Sequence, residues 1–191
     1  LRVADLDETT AGYERVASPS ANGGDGFEPI GDSGAPFTGR FDGDGYAIAG
    51  LTIDRAGTER VGLFGTTEGG MLGNVGLKRV AVTGGGQTGG LLGYSFDTTV
   101  TQSYVTGSVD GENNVGGLVG YQQSESGIVR RSYATSSVSG SGYVGGLVGT
   151  NSGTVEQSYA TGLVTGDFDT GGLVGASLGT VTSSYFDIES T

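Results

Sequence analysis

Hydrophobic and small residues recur along the chain in short segments rather than at helical spacing. Each segment is rich in Val, Thr and Tyr and is bounded by Gly, Asn, Ser or Asp, which is the pattern of short β-strands separated by turns. Apolar residues nowhere recur at 3.6-residue spacing over a stretch long enough to predict a helix. The chain is therefore predicted to be all-β.

Three columns of residues recur in a fixed order and define a repeat of 26 to 29 residues. The first column is a glycine motif, which reads VGLFG at 61–65 and GGLLG or GGLVG in four later copies. The second column is a Ser-Tyr pair, and the third is a short Val segment that ends near a glycine. The glycine column contains Gly62, Gly90, Gly117, Gly146 and Gly172, and its later copies continue with Leu91, Leu118, Leu147 and Leu173. The tyrosine column contains Tyr104, Tyr133, Tyr159 and Tyr185.

A repeat of this length with three short strands matches one coil of a parallel β-solenoid. In such a fold each strand pairs with its equivalent in the next coil, about 4.8 Å away. Recurrence of the same residues at equivalent places favours this stack over a row of antiparallel hairpins, as in a propeller blade or a sandwich. We predict a parallel β-solenoid, or β-helix, of about five to six coils. The segment 144–149 is expected to be one strand covered on both faces, with its glycines permitting close backbone approach.

Residues 1–60 break the repeat. They contain all three prolines, irregularly spaced glycines and a DGDG turn at 42–45. Because an exposed edge strand invites aggregation, an open solenoid needs its ends covered. We therefore expect residues 1–60 to form an N-terminal cap and the first coil, and residues 61–191 to form the repeats of the same continuous domain. A chain that starts at Leu1 rather than Met suggests a fragment of a longer protein.

Composition narrows the partners that the chain can have. The formal net charge is −12 and Lys78 is the only lysine, whereas nucleic-acid binding needs a basic surface. The dispersed acids indicate a solvated surface that suits a halophilic, archaeal source. No apolar run approaches the roughly 18 residues that a membrane span needs. Nucleic acid and membrane insertion are therefore not expected.

Few residues carry the chemistry that catalysis needs. The chain has no cysteine and no histidine, which removes the commonest metal ligands and general bases, and the repeated columns contain no carboxylate. We therefore predict that it is not an enzyme and has no cofactor. Asp42 and Asp44 in FDGDG are the one metal candidate, because alternating aspartates can offer oxygen ligands to calcium. The alternative is a tight turn, since one short motif supplies too few ligands.

The tyrosine column has two interpretations. If it faces solvent, its rings could form a platform for sugars. The more economical interpretation is a structural ladder in which rings stack on one another at the coil spacing. The neighbouring serines are expected to form an inward ladder of small residues, which consists of Ser103, Ser132, Ser158 and Ser184.

The repeated VGGLVG segment, followed by SYATG and a short Val strand, resembles the GLUG repeat family of bacterial and archaeal surface proteins. The resemblance covers residues 61–191. Residues 27–54 look like a segment that commonly precedes such repeats, and the final SSYFDIEST looks like the start of a further tail. GLUG repeats are associated with large adhesins and with some secreted metallopeptidases. No HExxH motif occurs here, so the resemblance does not imply peptidase activity.

Together these features predict a non-catalytic extracellular or cell-surface module with a structural or adhesive role. Self-association into a filament or surface layer is expected as its partner interaction, and a cell-surface glycan or protein is a further candidate. The alternatives are a carbohydrate-binding module that uses the tyrosine face and, less favoured, a degenerate polysaccharide-active enzyme. Since the repeated positions build the scaffold, a specific function is expected where the repeat breaks.

Overall fold

The computed structural model describes residues 5–187. A short α-helix, Tyr13–Ala17, and a 3-10 helix, Ala21–Gly24, precede the first strand. Every strand after them belongs to one of four sheets in which all paired strands run parallel. The prediction of an all-β parallel solenoid is thereby confirmed, with five coils counted along the five-stranded sheet.

The sheets are numbered here in the order in which one coil passes through them. Sheet 1 consists of Thr88–Gly89, Asn113–Gly116, Gly142–Gly145 and Thr170–Gly171. Sheet 2 consists of Phe64–Glu68, Leu92–Phe96, Val119–Gln122, Val148–Asn151 and Val174–Ser177. Sheet 3 consists of Arg40–Asp42, Met71–Gly73, Thr99–Thr101, Ile128–Arg130, Thr154–Glu156 and Thr180–Thr182. Sheet 4 consists of Ala47–Ala49, Thr52–Asp54, Gly76–Thr83, Tyr104–Asp110, Tyr133–Ala134, Ser137–Gly140, Tyr159–Ala160, Val164–Gly166 and Tyr185–Phe186.

The glycine motif is a corner and not a single strand, so the expected pleat over 144–149 is wrong. In this coil the strand of sheet 1 ends at Gly145 and the strand of sheet 2 begins at Val148. Because the chain turns between them, Val144, Leu147 and Val148 all point into the core and are fully buried. The coil also has more strands than the three that the repeat predicted. The three-residue strands of sheet 3 lie in segments whose only repeated apolar residue is a central valine.

Glycine is required at this corner by contact between successive coils. A Cβ atom added to Gly117 would lie 2.3 Å from the carbonyl oxygen of Gly146, and one added to Gly146 would lie 2.2 Å from that of Gly172. Real Cβ atoms do not approach carbonyl oxygens so closely. The predicted close approach therefore occurs, and it is between the backbones of neighbouring coils.

Valine and leucine columns fill the interior of the stack. Leu91, Leu118 and Leu147 are fully buried, and Leu173 in the last coil is 6% exposed. The valines at the centres of the sheet 3 strands stack in register, as in the pairing of Val129 with Val100 and Val155. At about 25 cal/mol per Å² of apolar surface, burial of such a column is the main stabilising contribution.

Coil length varies at one corner. Two residues join sheet 2 to sheet 3 at 97–98, 152–153 and 178–179, whereas five residues, 123–127, join them in the coil between. The larger turn protrudes without changing the register on either side, because Val129 still pairs with both neighbouring coils. The unequal repeat spacing therefore originates partly in a surface turn.

Candidate functional site

The tyrosine column lies on the outer face of sheet 4. Tyr104, Tyr133 and Tyr159 stack face to face, with ring centroids 5.0 and 4.9 Å apart and ring planes within 4° of parallel. Since the rings cover each other's faces, mainly their edges and hydroxyl groups are left for solvent. Tyr185, in the last coil, is 71% exposed. Burial raises the pKa of the Tyr133 phenol.

The serine column lies directly inside the tyrosine column and is satisfied by hydrogen bonds. The backbone N–H of Ser103 donates to Ser132 Oγ, and that of Ser132 donates to Ser158 Oγ, each at 3.2 Å. Each hydroxyl then donates to a carbonyl two residues earlier, at Arg130 for Ser132 and at Thr101 for Ser103. The three serines are 1% exposed, so this line of hydroxyls links the coils inside the protein.

The residue before each serine adopts the left-handed conformation, which makes the corner between sheets 3 and 4. This residue is Gln102, Arg131 or Gln157, with φ of 49° to 50°. The corner orients the serine inward and the next residue outward. The Ser-Tyr pair is therefore a corner motif that builds the coil.

Of the calcium candidates, Asp42 is the last residue of the first strand of sheet 3, and Asp44 lies in the turn that leads to the first strand of sheet 4. Arg40 donates to Asp42 Oδ2 at 2.8 Å, and Asn74 donates to Asp42 Oδ1 at 2.9 Å. The backbone N–H of Asp44 also donates to Asp42 Oδ1. These bonds, the Arg40 bond foremost, lower the pKa of Asp42 to about 2.

Asp42 thus already has partners on its own strand, in the following turn and in the next coil. Within residues 5–187 no group of three or more acidic side chains could hold a metal ion. The calcium site stays a prediction, and the geometry gives it no additional ligands.

A concave region lies where the repeat breaks, between residues 28–36, the turn 55–60 and sheet 2. It consists of two adjoining clefts of about 370 and 250 Å³ that share Ser33, Arg60 and Thr66. We call this region the cap groove. The sequence predicts that a specific function lies in the first 60 residues, in the variable turns or outside this chain, and it assigns no role to any side chain of this groove.

An arginine and a tyrosine from successive coils meet in the cap groove. The Arg60 guanidinium carbon lies 4.4 Å from the centroid of the Tyr94 ring. Tyr94 in turn contacts Tyr121 edge to face, with centroids 5.7 Å apart. Burial raises the pKa of Tyr94, while the charge of Arg60 opposes that shift.

No helix among the described residues is long and apolar enough to cross a membrane. The predicted tail at 183–191 is described as far as Asp187 and contains the strand Tyr185–Phe186. Residues 188–191 of that tail lie outside the described residues. The boundary between cap and repeats at residue 60 stays a prediction.

Comparison with known proteins gives matches over the repeats. The model of the GLUG motif matches three successive segments, residues 84–110, 111–139 and 140–165. Halomucin from Haloquadratum walsbyi is 46% identical over 127 residues, which is 64% of this chain and 1% of that protein. A protein from Evansella cellulosilytica, provisionally named a Gly-rich membrane protein, is 37% identical over 138 residues, which is 54% of this chain and 16% of that protein.

This chain therefore spans only a small part of the length of either relative. No solved structure matches it. The three matched segments follow one another without a gap, and each contains one Val segment that forms a strand of sheet 4. The resemblance stated from the VGGLVG and SYATG motifs is confirmed, and residues 84–165 of this chain are three consecutive repeats of the GLUG family.

Proposed function

We propose that this chain is a non-catalytic structural module of an extracellular surface protein, in which the solenoid is a rigid spacer that further coils can lengthen. One observation carries the proposal: the positions that recur in every coil are used to build the stack. The leucines are buried, the serines bond between coils and the tyrosines stack on one another. In such a quasi-one-dimensional scaffold each additional repeat adds one coil.

The C-terminal end is suited to receive another coil. The last strands of sheets 1, 2, 3 and 4 each pair on one side, and within residues 5–187 none has a second partner strand. Large apolar side chains are exposed in this coil, including Phe168 at 73% and Leu178 at 88%. A following coil would pair with the backbone groups at these strand edges and would cover the exposed apolar side chains.

The relatives' names and source fit a location at the cell surface. One relative is named a membrane protein and the other Halomucin, and the latter belongs to a halophilic archaeon. The acidic surface of this chain, with a net charge of −12, suits very salty water. Antibodies against the purified chain should label intact source cells. Labelling only after permeabilisation would contradict this location.

The geometry of the tyrosine column does not favour the platform alternative. A sugar stacks on the face of an aromatic ring, and the faces between Tyr104, Tyr133 and Tyr159 are occupied by neighbouring rings. A catalytic role would need carboxylates gathered on adjacent coils. On sheet 4 the tyrosine column contains no carboxylate. In the column of Asp54, Thr83, Asp110, Ser139 and Thr165 the two aspartates are separated by Thr83, so no carboxylates adjoin on successive coils there, which fits a scaffold.

Adding one coil tests the proposal. A second copy of residues 162–187 would follow Asp187, and the inner copy would carry Phe186→Ala. This change is needed because Phe186 follows Ala134 and Ala160 in register and its ring lies against Gly172. The added coil should raise the thermal midpoint and slow the hydrogen exchange of amides in strand Val174–Ser177.

The control carries the same added residues in scrambled order. If the extended protein and the scrambled control show the same midpoint and the same exchange, the end does not accept a coil and the spacer proposal fails. Scrambling keeps composition and length, so a difference between the two proteins reports on the order of residues in the repeat.

A further inference from the structure

The cap groove joins irregular chain to the repeats and has a lining of mixed charge. Glu28, Asp32 and Glu59 lie on its rim together with Arg55, and Glu68 adds a fourth carboxylate at the far end. Both donors and acceptors of hydrogen bonds are therefore present along one groove. A ligand rich in hydroxyl groups can use both kinds, whereas a purely apolar ligand can use neither.

Arg60 is the donor at the centre of the groove. Within residues 5–187 the ion pairs are Arg40 with Asp42, Arg55 with Asp25 and Lys78 with Asp5, so the Arg60 guanidinium has no carboxylate within 4.0 Å. Its guanidinium carbon lies over the Tyr94 ring, and a planar guanidinium carries its N–H donors in a fork that suits the oxygen atoms of a ligand.

The floor of the groove contains an unsatisfied polar group. Thr66 is 5% exposed and lines both clefts, and its hydroxyl makes no hydrogen bond to any described residue. Most buried polar groups are hydrogen-bonded, so a buried hydroxyl without a partner requires an explanation. The hydroxyl oxygen itself exposes less than 1 Å² of surface, so Thr66 forms part of the floor and its hydroxyl is not a contact point for a ligand.

Aromatic surface lies at the sheet 2 end of the groove. Phe96 is 38% exposed and Tyr94 is half-buried, and both line the smaller cleft. Partly exposed rings beside hydrogen-bonding side chains are suited to the apolar face of a sugar, because aromatic rings offer rigid flat apolar area. The four lining carboxylates outnumber the two arginines, which disfavours an anionic ligand.

We propose that the cap groove binds a neutral oligosaccharide. One sugar ring packs against the exposed ring of Phe96, since Arg60 covers a face of Tyr94, and the sugar hydroxyls accept from Arg60 and donate to the carboxylates on the rim. This binding is independent of the spacer role, since it uses residues at which the repeat breaks. It places recognition at the N-terminal end and away from the stacked tyrosines.

The test is a titration of the full chain with three neutral tetrasaccharides, namely cellotetraose, maltotetraose and mannotetraose. Saturation-transfer NMR and calorimetry measure the binding. At least one should bind with a dissociation constant on the order of 0.1–1 mM. Tetragalacturonate, an anionic tetrasaccharide, should bind at least about tenfold more weakly. No binding of the neutral probes at about 10 mM, or equal binding of the anionic one, would overturn the proposal.

Two variants locate the site. Arg60→Asn keeps a residue that tolerates the left-handed conformation of position 60, where φ is 62°, and Asn114 has the same conformation before Val115 in a later coil. Phe96→Ala removes the aromatic contact from an exposed position. Each should weaken binding about tenfold, while Arg40→Ala and Tyr143→Ala, at exposed positions outside the groove, should bind like the unchanged chain.

Circular dichroism at the titration temperature must show that both groove variants are folded. If folded Arg60→Asn and Phe96→Ala proteins bind the tetrasaccharide as tightly as the unchanged chain, the ligand is elsewhere and the groove assignment is wrong. Because the coil-addition experiment involves the opposite end, its result and this one can fail separately.

Discussion

The two ends of the stack differ in whether the edges of their strands are paired with further chain. At the N-terminal end, irregular chain pairs with the first strands: Leu6 exchanges backbone hydrogen bonds with Ala47 and Ala49, and Ile30 does so with Leu63 and Gly65. At the C-terminal end, the last coil pairs on one side only among the described residues. The comparison teaches that covering an edge takes a dedicated sequence, whereas continuing it takes another repeat.

Side chains at the two ends follow the backbone. Tyr13, on the short helix, is buried and donates from its hydroxyl to the Ala49 carbonyl at 2.5 Å. In the last coil, Phe168, Leu178 and Tyr185 are each more than 70% exposed. Four predictions test whether this asymmetry is real, from the largest expected effect to the smallest.

Deleting one end or the other should have unequal results. Removal of residues 1–37 uncovers the backbone edges that Leu6, Ile30 and Phe37 pair with, so the protein should lose its soluble monomer and aggregate. Removal of residues 162–191 shortens the stack by one coil and leaves the same kind of end. Size-exclusion chromatography and circular dichroism measure both, and equal behaviour of the two deletions would contradict the asymmetry.

Gly26→Ala should loosen the N-terminal end strongly. Gly26 has φ of 70°, and an added Cβ would lie 2.2 Å from the Thr52 carbonyl oxygen. We expect the free energy of unfolding in urea to fall by about 2–4 kcal/mol. Gly45→Ala, with φ of 80° and open space around it, should cost only about 1 kcal/mol. Gly57→Ala, with neither constraint, should change it by less than about 0.5 kcal/mol.

Stability at high pH should depend on Tyr13. Burial raises the pKa of its phenol to about 12, above the ordinary value of 10.0. The unfolded chain therefore loses this proton first, so stability that is present below pH 10 is lost as the pH rises towards 12. Tyr13→Phe should remove this part of the pH dependence and cost about 1 kcal/mol near neutral pH, through the lost bond to Ala49. Thermal melts of both proteins from neutral to alkaline pH provide the measurement, and parallel curves would refute the assignment.

Exposed apolar residues should affect association at one end only. Leu178→Ser changes a side chain that is 88% exposed, so stability should change by less than about 0.5 kcal/mol. Self-association in sedimentation velocity should nevertheless decrease, because the open edge loses apolar surface. Val16→Ser, at a position 52% exposed in the N-terminal region, is the matched control and should leave association unchanged. The reverse order would show that the N-terminal end is the associating one.

Sequence recurrence predicted the scaffold well because each repeated residue has the same neighbours in every coil. The buried leucines and the stacked tyrosines lie where a parallel solenoid requires them. The corner at Gly145 to Val148 could not be found this way, because alternation along a strand assumes a continuous pleat. Once the chain turns, the adjacent residues Leu147 and Val148 both face inward.

The cap groove escaped prediction for a different reason. Arg60 and Tyr94 meet although they belong to different coils. Other residue types fill the column position of Arg60 elsewhere, and the column of Tyr94 repeats tyrosine at Tyr121 but contains Thr66 and Thr150 in other coils. A search for repeats finds residues that recur at equivalent positions, whereas this contact forms where the repeat is broken. The prediction that a specific function lies where the repeat breaks gives a location, but it names no side chains and no type of ligand.

The five-residue turn 123–127 shows that a coil can gain residues while Val129 keeps both of its partners. Length variation at this corner is therefore decoupled from the register of the stack. A foreign peptide grafted between Ser124 and Ser126 should project from the side of an intact rod. Peptides grafted into the equivalent turns of different coils would then be separated along the stack by multiples of the coil spacing, about 4.8 Å.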